Sequence, residues 1–183
     1  MIGKDEYIIY GFDLRFNDDN SQQSLEENKT FIPFRRTLEE KQAYQKMLKN
    51  ELEVGIVIQI RQDKVKWYTC NFLIMKPSGT WRKILDVSKL NKEIEKLYFK
   101  MHGLEDVQYL ANQTDYGISG DLKSALHHIK VSPNSISYQV FNFNNNNYAY
   151  KVMPFGTEHS PTFLAEAIYT TFMHIKYISK SKS

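Results

Sequence analysis

Apolar positions fall into a helical rhythm at Thr37. Thr37-x-x-Glu40 has the form of a capping box, and Leu38, Ala43, Met47, Leu48 and Leu52 follow at helical spacing as far as Gly55, a natural terminator. The runs "GIVIQI" and "WYTCNFLIM" are β-branched or aromatic and predict strands. "KPSGT" predicts a turn and "WRKILDV" a second strand, so residues 72–86 should form an antiparallel hairpin with Lys76, Pro77, Ser78 and Gly79 at its tip. A weaker amphipathic helix covers "LEDVQYLAN", and "YGISGD" predicts a short strand ending at Asp121. Ile136, Tyr138 and Val140 alternate with polar residues, and "NYAYKVM" answers them across "NNNN". Asparagine tolerates left-handed dihedrals, so that tract is a hairpin turn or a compositional bias without structural meaning. Ser160 before Pro161 makes an N-cap and N1 pair, and Leu164, Ile168, Phe172 and Ile175 run down one face of a long helix. Ahead of Thr37, a strand-like "EYIIYGF" and the polar "NDDNSQQSLEENKT" predict a mobile leader over residues 1–30. Helices and strands in this irregular order, without repeats, indicate an α+β fold.

Composition narrows the picture only a little. The chain of 183 residues is long enough for a sizeable core and carries a formal charge of only +3, compatible with a phosphate-lined partner without requiring one. Cys70 is the single cysteine, which excludes an internal disulfide and a cysteine-only metal cluster and is in keeping with an intracellular protein. No apolar run is long enough to cross a bilayer, so no membrane partner is expected.

Few single residues announce chemistry. Asp121, where a strand meets a helical turn, either presents oxygen ligands to Mg²⁺ or caps "LKSALHH". Arg82 on the outgoing hairpin strand could hold phosphate oxygens in two-point contact, or be an ordinary exposed strand arginine. His127 and His128 are adjacent and point different ways, and no H-x-x-x-H or C-x-x-C spacing supports zinc. There is no G-x-x-x-x-G-K-[ST], G-x-G-x-x-G or G-x-S-x-G, which argues against P-loop, dinucleotide-binding and nucleophile-elbow chemistry.

The order of the blocks is more specific. The K…W-R-x-x-x-D…L-N block from Lys76 to Asn91, the D-L-x-S-A block at Asp121 and M-P-F-G followed by S-P at Met153–Pro161 resemble the fingers and palm of reverse transcriptases. The nearest likeness is to retrotransposon enzymes of the Gypsy and DIRS kinds. It spans residues 31–178, leaving the leader and a basic tail at 179–183 outside. The resemblance implies a right-hand polymerase fingers and partial palm fragment of mixed helices and antiparallel sheet. It implies that Asp121 is a catalytic, metal-binding aspartate, with the Leu122 carbonyl as a second ligand. It places Arg82 and Lys76 on the triphosphate of the incoming nucleotide, and Phe155 and Gly156 beside the templating base and the nucleotide. It implies Mg²⁺ as cofactor in the complete enzyme, with deoxynucleoside triphosphates and an RNA or DNA template with primer as partners. Lys76, Arg82 and Lys83 are all expected to face a phosphate path.

Two positions and one absence depart from the family pattern. Leu126 stands where an aromatic ring lies under the sugar, and Leu164 where phenylalanine is usual. No Y-x-D-D follows the Ser160 helix, and no aspartate follows Asp121. Two-metal phosphoryl transfer requires carboxylates on both sides of the ions. The expectation is therefore a reverse-transcriptase fragment without polymerase activity of its own, or alternatively a co-opted, non-catalytic nucleic-acid-binding module with the same fold.

Overall fold

In a computed structural model, the structure describes residues 11–34, 36–98 and 120–181. Five α-helices and five strands are defined among them. In chain order they are α1 (Asp19–Glu27), α2 (Leu38–Glu53), β1 (Val57–Gln59), β2 (Cys70–Met75), β3 (Trp81–Asp86), α3 (Ser88–Glu93), α4 (Pro133–Ile136), β4 (Val140–Phe143), β5 (Asn146–Tyr150) and α5 (Ser160–Ser181). The described strands make a three-stranded antiparallel sheet, β1-β5-β4, and a separate β2–β3 hairpin. This is the expected α+β mixture.

Local signals explain most of these elements. Thr37 accepts from the Glu40 amide while the Glu40 carboxylate accepts from the Thr37 amide at 2.9 Å, so the capping box closes and α2 begins there. The helix buries Tyr44 and Leu48 with Ala43 and Met47 packed beside them, so the middle of the expected face turns inward, whereas its end residues Leu38 and Leu52 are exposed. The β2–β3 hairpin pairs Cys70 with Asp86 through to Met75 with Trp81. Its turn is closed by Lys76 N–H to Thr80 at 2.8 Å and Gly79 N–H to Lys76 at 2.9 Å, with Gly79 at φ +76°. The asparagine tract is a real two-residue turn: Asn144 and Asn145 have φ of 51° and 60°, and both flanking strands pair in register across them.

Two expectations are corrected. Residues 11–30 are not a loose leader. Asp18 caps α1 by accepting from the Ser21 amide, Leu25 is buried, and Phe12 is fully buried where it bridges Val131 in parallel. The segment is further tied down where Ser135 and Ser132 both donate to the Asp13 carboxylate, and where Lys66 and Tyr138 converge on Glu26. The strand read from Ile136 to Val140 starts only at Val140, because Ser132 and Pro133 open the short helix α4 instead. The helix expected over "LEDVQYLAN" and the body of the "YGISGD" strand lie outside the described residues.

The described core has two main parts. One gathers Phe12, Leu90, Ile94, Val131, Met153 and Phe163. The other gathers Tyr44, Leu48, Leu73, Phe141, Phe143 and Tyr150 between α2, the hairpin and the sheet. Half-buried Leu85, on β3, packs against both. That strand therefore joins the two halves, and the candidate site residues are distributed along it and the loops beside it.

Candidate nucleotide-binding site

Strand alternation puts Arg82 on the outside of β3 and Lys83 on the inside. Arg82 is exposed opposite Ile74, and Lys76 is exposed in the turn beyond β2. Lys83 does not join them. Its side chain is 9% exposed and its ammonium bonds the Glu51 carboxylate at 2.6 Å. The same nitrogen lies 4.3–5.0 Å from the ring centres of Phe141, Tyr44 and Tyr150. Burial pushes the Lys83 pKa down, while Glu51 pulls it back up. The expectation that Lys83 faces a phosphate path is overturned by this cage.

The D-L-x-S-A block is a loop and not the end of a regular helix. Asp121 and Leu122 are exposed, and the chain passes through Ser124 at φ 53° into a 3-10 turn over Ala125–His128. Ser124, and not Asp121, occupies the position before that turn, so the capping reading of Asp121 is not realised. Leu126 is buried at 4% exposure. His127 stands edge-on to Phe155 with ring centres 6.3 Å apart, and burial pushes its imidazole's pKa down.

The Met-Pro-Phe-Gly segment forms the facing wall. Phe155 is 61% exposed, and Gly156 has φ +99°, a conformation that a side chain would strain. A Cβ there would also sit 3.4 Å from the Leu85 carbonyl oxygen and from the Val87 side chain, so this backbone lies close against the end of β3. Ser160 begins α5 and donates its hydroxyl to the Pro154 carbonyl at 2.8 Å, fixing the loop to the helix start. His159 is fully buried and bonds the Glu95 carbonyl through Nε2 at 2.7 Å.

Between these walls lies an open, mainly apolar cleft of about 430 Å³ lined by Leu126, Phe155, Gly156 and Leu164 among others. Three of the predicted substrate-contacting residues are thus brought together. Asp121, Leu122, Lys76 and Arg82 are not part of that lining. The L-N pair contributes a further residue, Asn91, to this region. Its amide donates to the Gly156 carbonyl at 2.8 Å and accepts from the Glu158 amide at 3.0 Å. Among the described residues no group of three or more His, Cys, Asp or Glu side chains is arranged to hold a metal ion. Nor is any helix of those residues long and apolar enough to cross a membrane.

A strand hairpin, an aspartate-bearing loop, and a Phe-Gly bend packed on the hairpin's base define the fingers and palm of a right-hand polymerase. Residues 74–179 match the family described as reverse transcriptase (RNA-dependent DNA polymerase), and the chain belongs to that family. It is 28% identical over 109 residues to a putative enzymatic polyprotein of Cassava vein mosaic virus, covering 57% of this chain and 17% of that one. It is 25% identical over 147 residues to the Gag-Pro-Pol polyprotein of Sheep pulmonary adenomatosis virus, covering 76% of this chain and 8% of the polyprotein. Among solved structures, a prototype foamy virus protease-reverse transcriptase mutant aligns with a TM-score of 0.67 at 18% identity, covering 80% of this chain and 19% of that chain. The foamy viral protease-reverse transcriptase dRH in complex with double-stranded DNA aligns with a TM-score of 0.60 at 16% identity, covering 92% and 26%. The chain therefore spans less than a third of each of these relatives, as a partial reverse transcriptase.

Proposed function

We propose that this chain supplies the nucleotide-facing half of a template-directed DNA polymerase of retroelement origin. In this reading it binds a deoxynucleoside triphosphate against a primed RNA or DNA template. The observation that carries it is the cleft in which Leu126, Phe155 and Gly156 converge. Gly156 takes a positive φ that seats the loop against the end of β3, and so holds the cleft wall in place. Phe155, exposed beside it, offers a stacking face of the kind that holds unpaired bases without reading them. Arg82 and Lys76 supply the phosphate-binding donors from the hairpin. A double-stranded DNA complex of a structurally similar foamy viral enzyme supports the nucleic-acid partner. Leu126, in place of a flat ring, fills the floor less rigidly and relaxes rejection of ribonucleotides in this proposal.

Mg²⁺ fits the donor chemistry in kind, since the Asp121 carboxylate and the Leu122 carbonyl are hard oxygen donors on an exposed loop. Those two would hold one side of the ion, which supplies charge neutralisation for the triphosphate when bound. The side chains do the rest: Arg82 and Lys76 orient the phosphates, and Leu126 with Phe155 keeps water from the sugar and base. The test is a titration of the chain with dTTP and Mg²⁺ in the presence of an oligo(dT)-primed poly(A) template. Saturable dTTP binding that weakens at least tenfold in Arg82→Ala supports the reading, and equal binding by both proteins removes it.

A further inference from the structure

The loop that shapes the cleft packs on the corner after β3 and is hydrogen-bonded there by the side chain of Asn91 on α3. We propose that Asn91 is a positioning residue that fixes the Phe155–Gly156 loop to the β3–α3 corner, so that Arg82 and the cleft wall keep one relative placement. The functional consequence rests on the nucleotide-binding reading above, while the attachment itself does not.

Asn91 makes two bonds of opposite sense. Nδ2 donates to the Gly156 carbonyl at 2.8 Å, and Oδ1 accepts from the Glu158 amide at 3.0 Å. The pair brackets Thr157, which is 2% exposed and anchors the loop from within. A primary amide carries a donor and an acceptor on one carbon and stays neutral at neutral pH, which suits this pair of bonds. An ionised aspartate has no donor, a leucine has neither group, and a glutamine is one methylene longer.

Asn91 is itself held still. Its backbone amide donates to the Val87 carbonyl at 2.8 Å on the first turn of α3, and its neighbour Leu90 is fully buried. The helix α3 starts at Ser88, two residues past the end of β3, where Asp86 accepts from the Ser88 amide and hydroxyl. The close approach of Gly156 to Leu85 and Val87 puts the loop on this same corner from the other side. Arg82 lies on β3 itself. One short stretch of chain, Trp81 to Glu93, therefore carries the phosphate-facing arginine at one end and the clamp on the base-facing loop at the other.

Hydrogen exchange and dTTP binding separate the two parts of the proposal, using the whole chain and circular dichroism to verify folding. In Asn91→Leu the Glu158 amide should exchange about tenfold faster, as one lost hydrogen bond predicts, while hairpin amides such as Leu73 keep their protection. The same variant should lose about tenfold in dTTP affinity with primed template. Asn91→Asp should keep Glu158 protected, because its carboxylate still accepts, yet lose dTTP affinity because Gly156 is released. Unchanged Glu158 exchange in Asn91→Leu overturns the attachment. Faster exchange with wild-type dTTP affinity, where Arg82→Ala loses it, overturns the positioning role. If wild type fails to bind dTTP at all, the nucleotide reading fails, and the exchange measurement still decides whether Asn91 holds the loop.

Discussion

The two faces of the β2–β3 hairpin treat neighbouring cations in opposite ways. Arg82, on the outer face, is exposed and free to reach a ligand, while Lys83, on the inner face, is enclosed by Glu51 and three aromatic rings. The lesson is that positive charge near a functional surface is not itself a functional surface. Lys83 joins the hairpin to α2 and to the β4–β5 sheet, and so holds the strand on which Arg82 stands.

The largest effect expected from that difference is in stability. Lys83→Met leaves the Glu51 carboxylate mostly buried without its cation, at a cost of roughly 3 kcal/mol, measured by urea unfolding. The double variant Lys83→Met/Glu51→Leu should recover most of that loss, because an apolar pair replaces an ion pair that was expensive to desolvate. A loss in the double variant as large as in the single one would mean that the cation–π contacts, and not the ion pair, hold the inner face.

Next in size is the joint between hairpin base and cleft. Gly156→Ala imposes a side chain at φ +99° and a tight contact with Leu85, and should cost about 1–2 kcal/mol. The cleft wall should shift with it, visible as weaker dTTP binding at a temperature where the variant is fully folded. Unchanged stability would show that the loop re-forms without the left-handed residue.

A smaller, pH-dependent effect comes from another buried base. Burial lowers the His159 pKa below its ordinary 6.5, partly offset by the bond to the Glu95 carbonyl. The unfolded chain then binds the proton more readily, so this contribution to stability is complete above pH 6.5 and is lost as pH falls through the folded value. The urea midpoint of the wild type should drop more steeply below pH 6.5 than that of His159→Gln, whose amide can still donate to Glu95. Parallel pH profiles would remove His159 as the source.

The smallest effect belongs to the outer face. Arg82→Ala should change stability by no more than about 0.5 kcal/mol, as for an exposed surface residue. A cost comparable with that of Lys83→Met would erase the distinction between the two faces.

Much of this arrangement was legible in the sequence where local chemistry decides it. The capping box at Thr37, the "KPSGT" turn and the Asn144–Asn145 turn are each set by residues within four positions. The inward fate of Lys83 was legible too, in the period-two phase it shares with Trp81 and Leu85, both packed on the aromatic core. Its neighbouring arginine obscured that signal. By contrast, α1 carries a single buried residue, Leu25, and is held in part by Glu26 meeting Lys66 and Tyr138, which are distant in sequence. No window of the chain predicts such contacts. Asn91 was visible as half of an L-N pair, but its bonds to Gly156 and Glu158 span 65 and 67 residues and arise only from the fold.

The central claim is that the outer face of the hairpin, and not positive charge in general, is where this chain meets phosphates. The direct measurement is titration of a primer–template duplex at 50 mM and 200 mM salt, with wild type and with Lys76→Ala/Arg82→Ala. Wild type should bind with a dissociation constant on the order of 10⁻⁴–10⁻⁶ M at physiological salt, steeply weaker as salt rises, and the double variant should bind more weakly with a shallower salt slope. Equal affinity and equal slope for the two proteins at low salt would contradict the account.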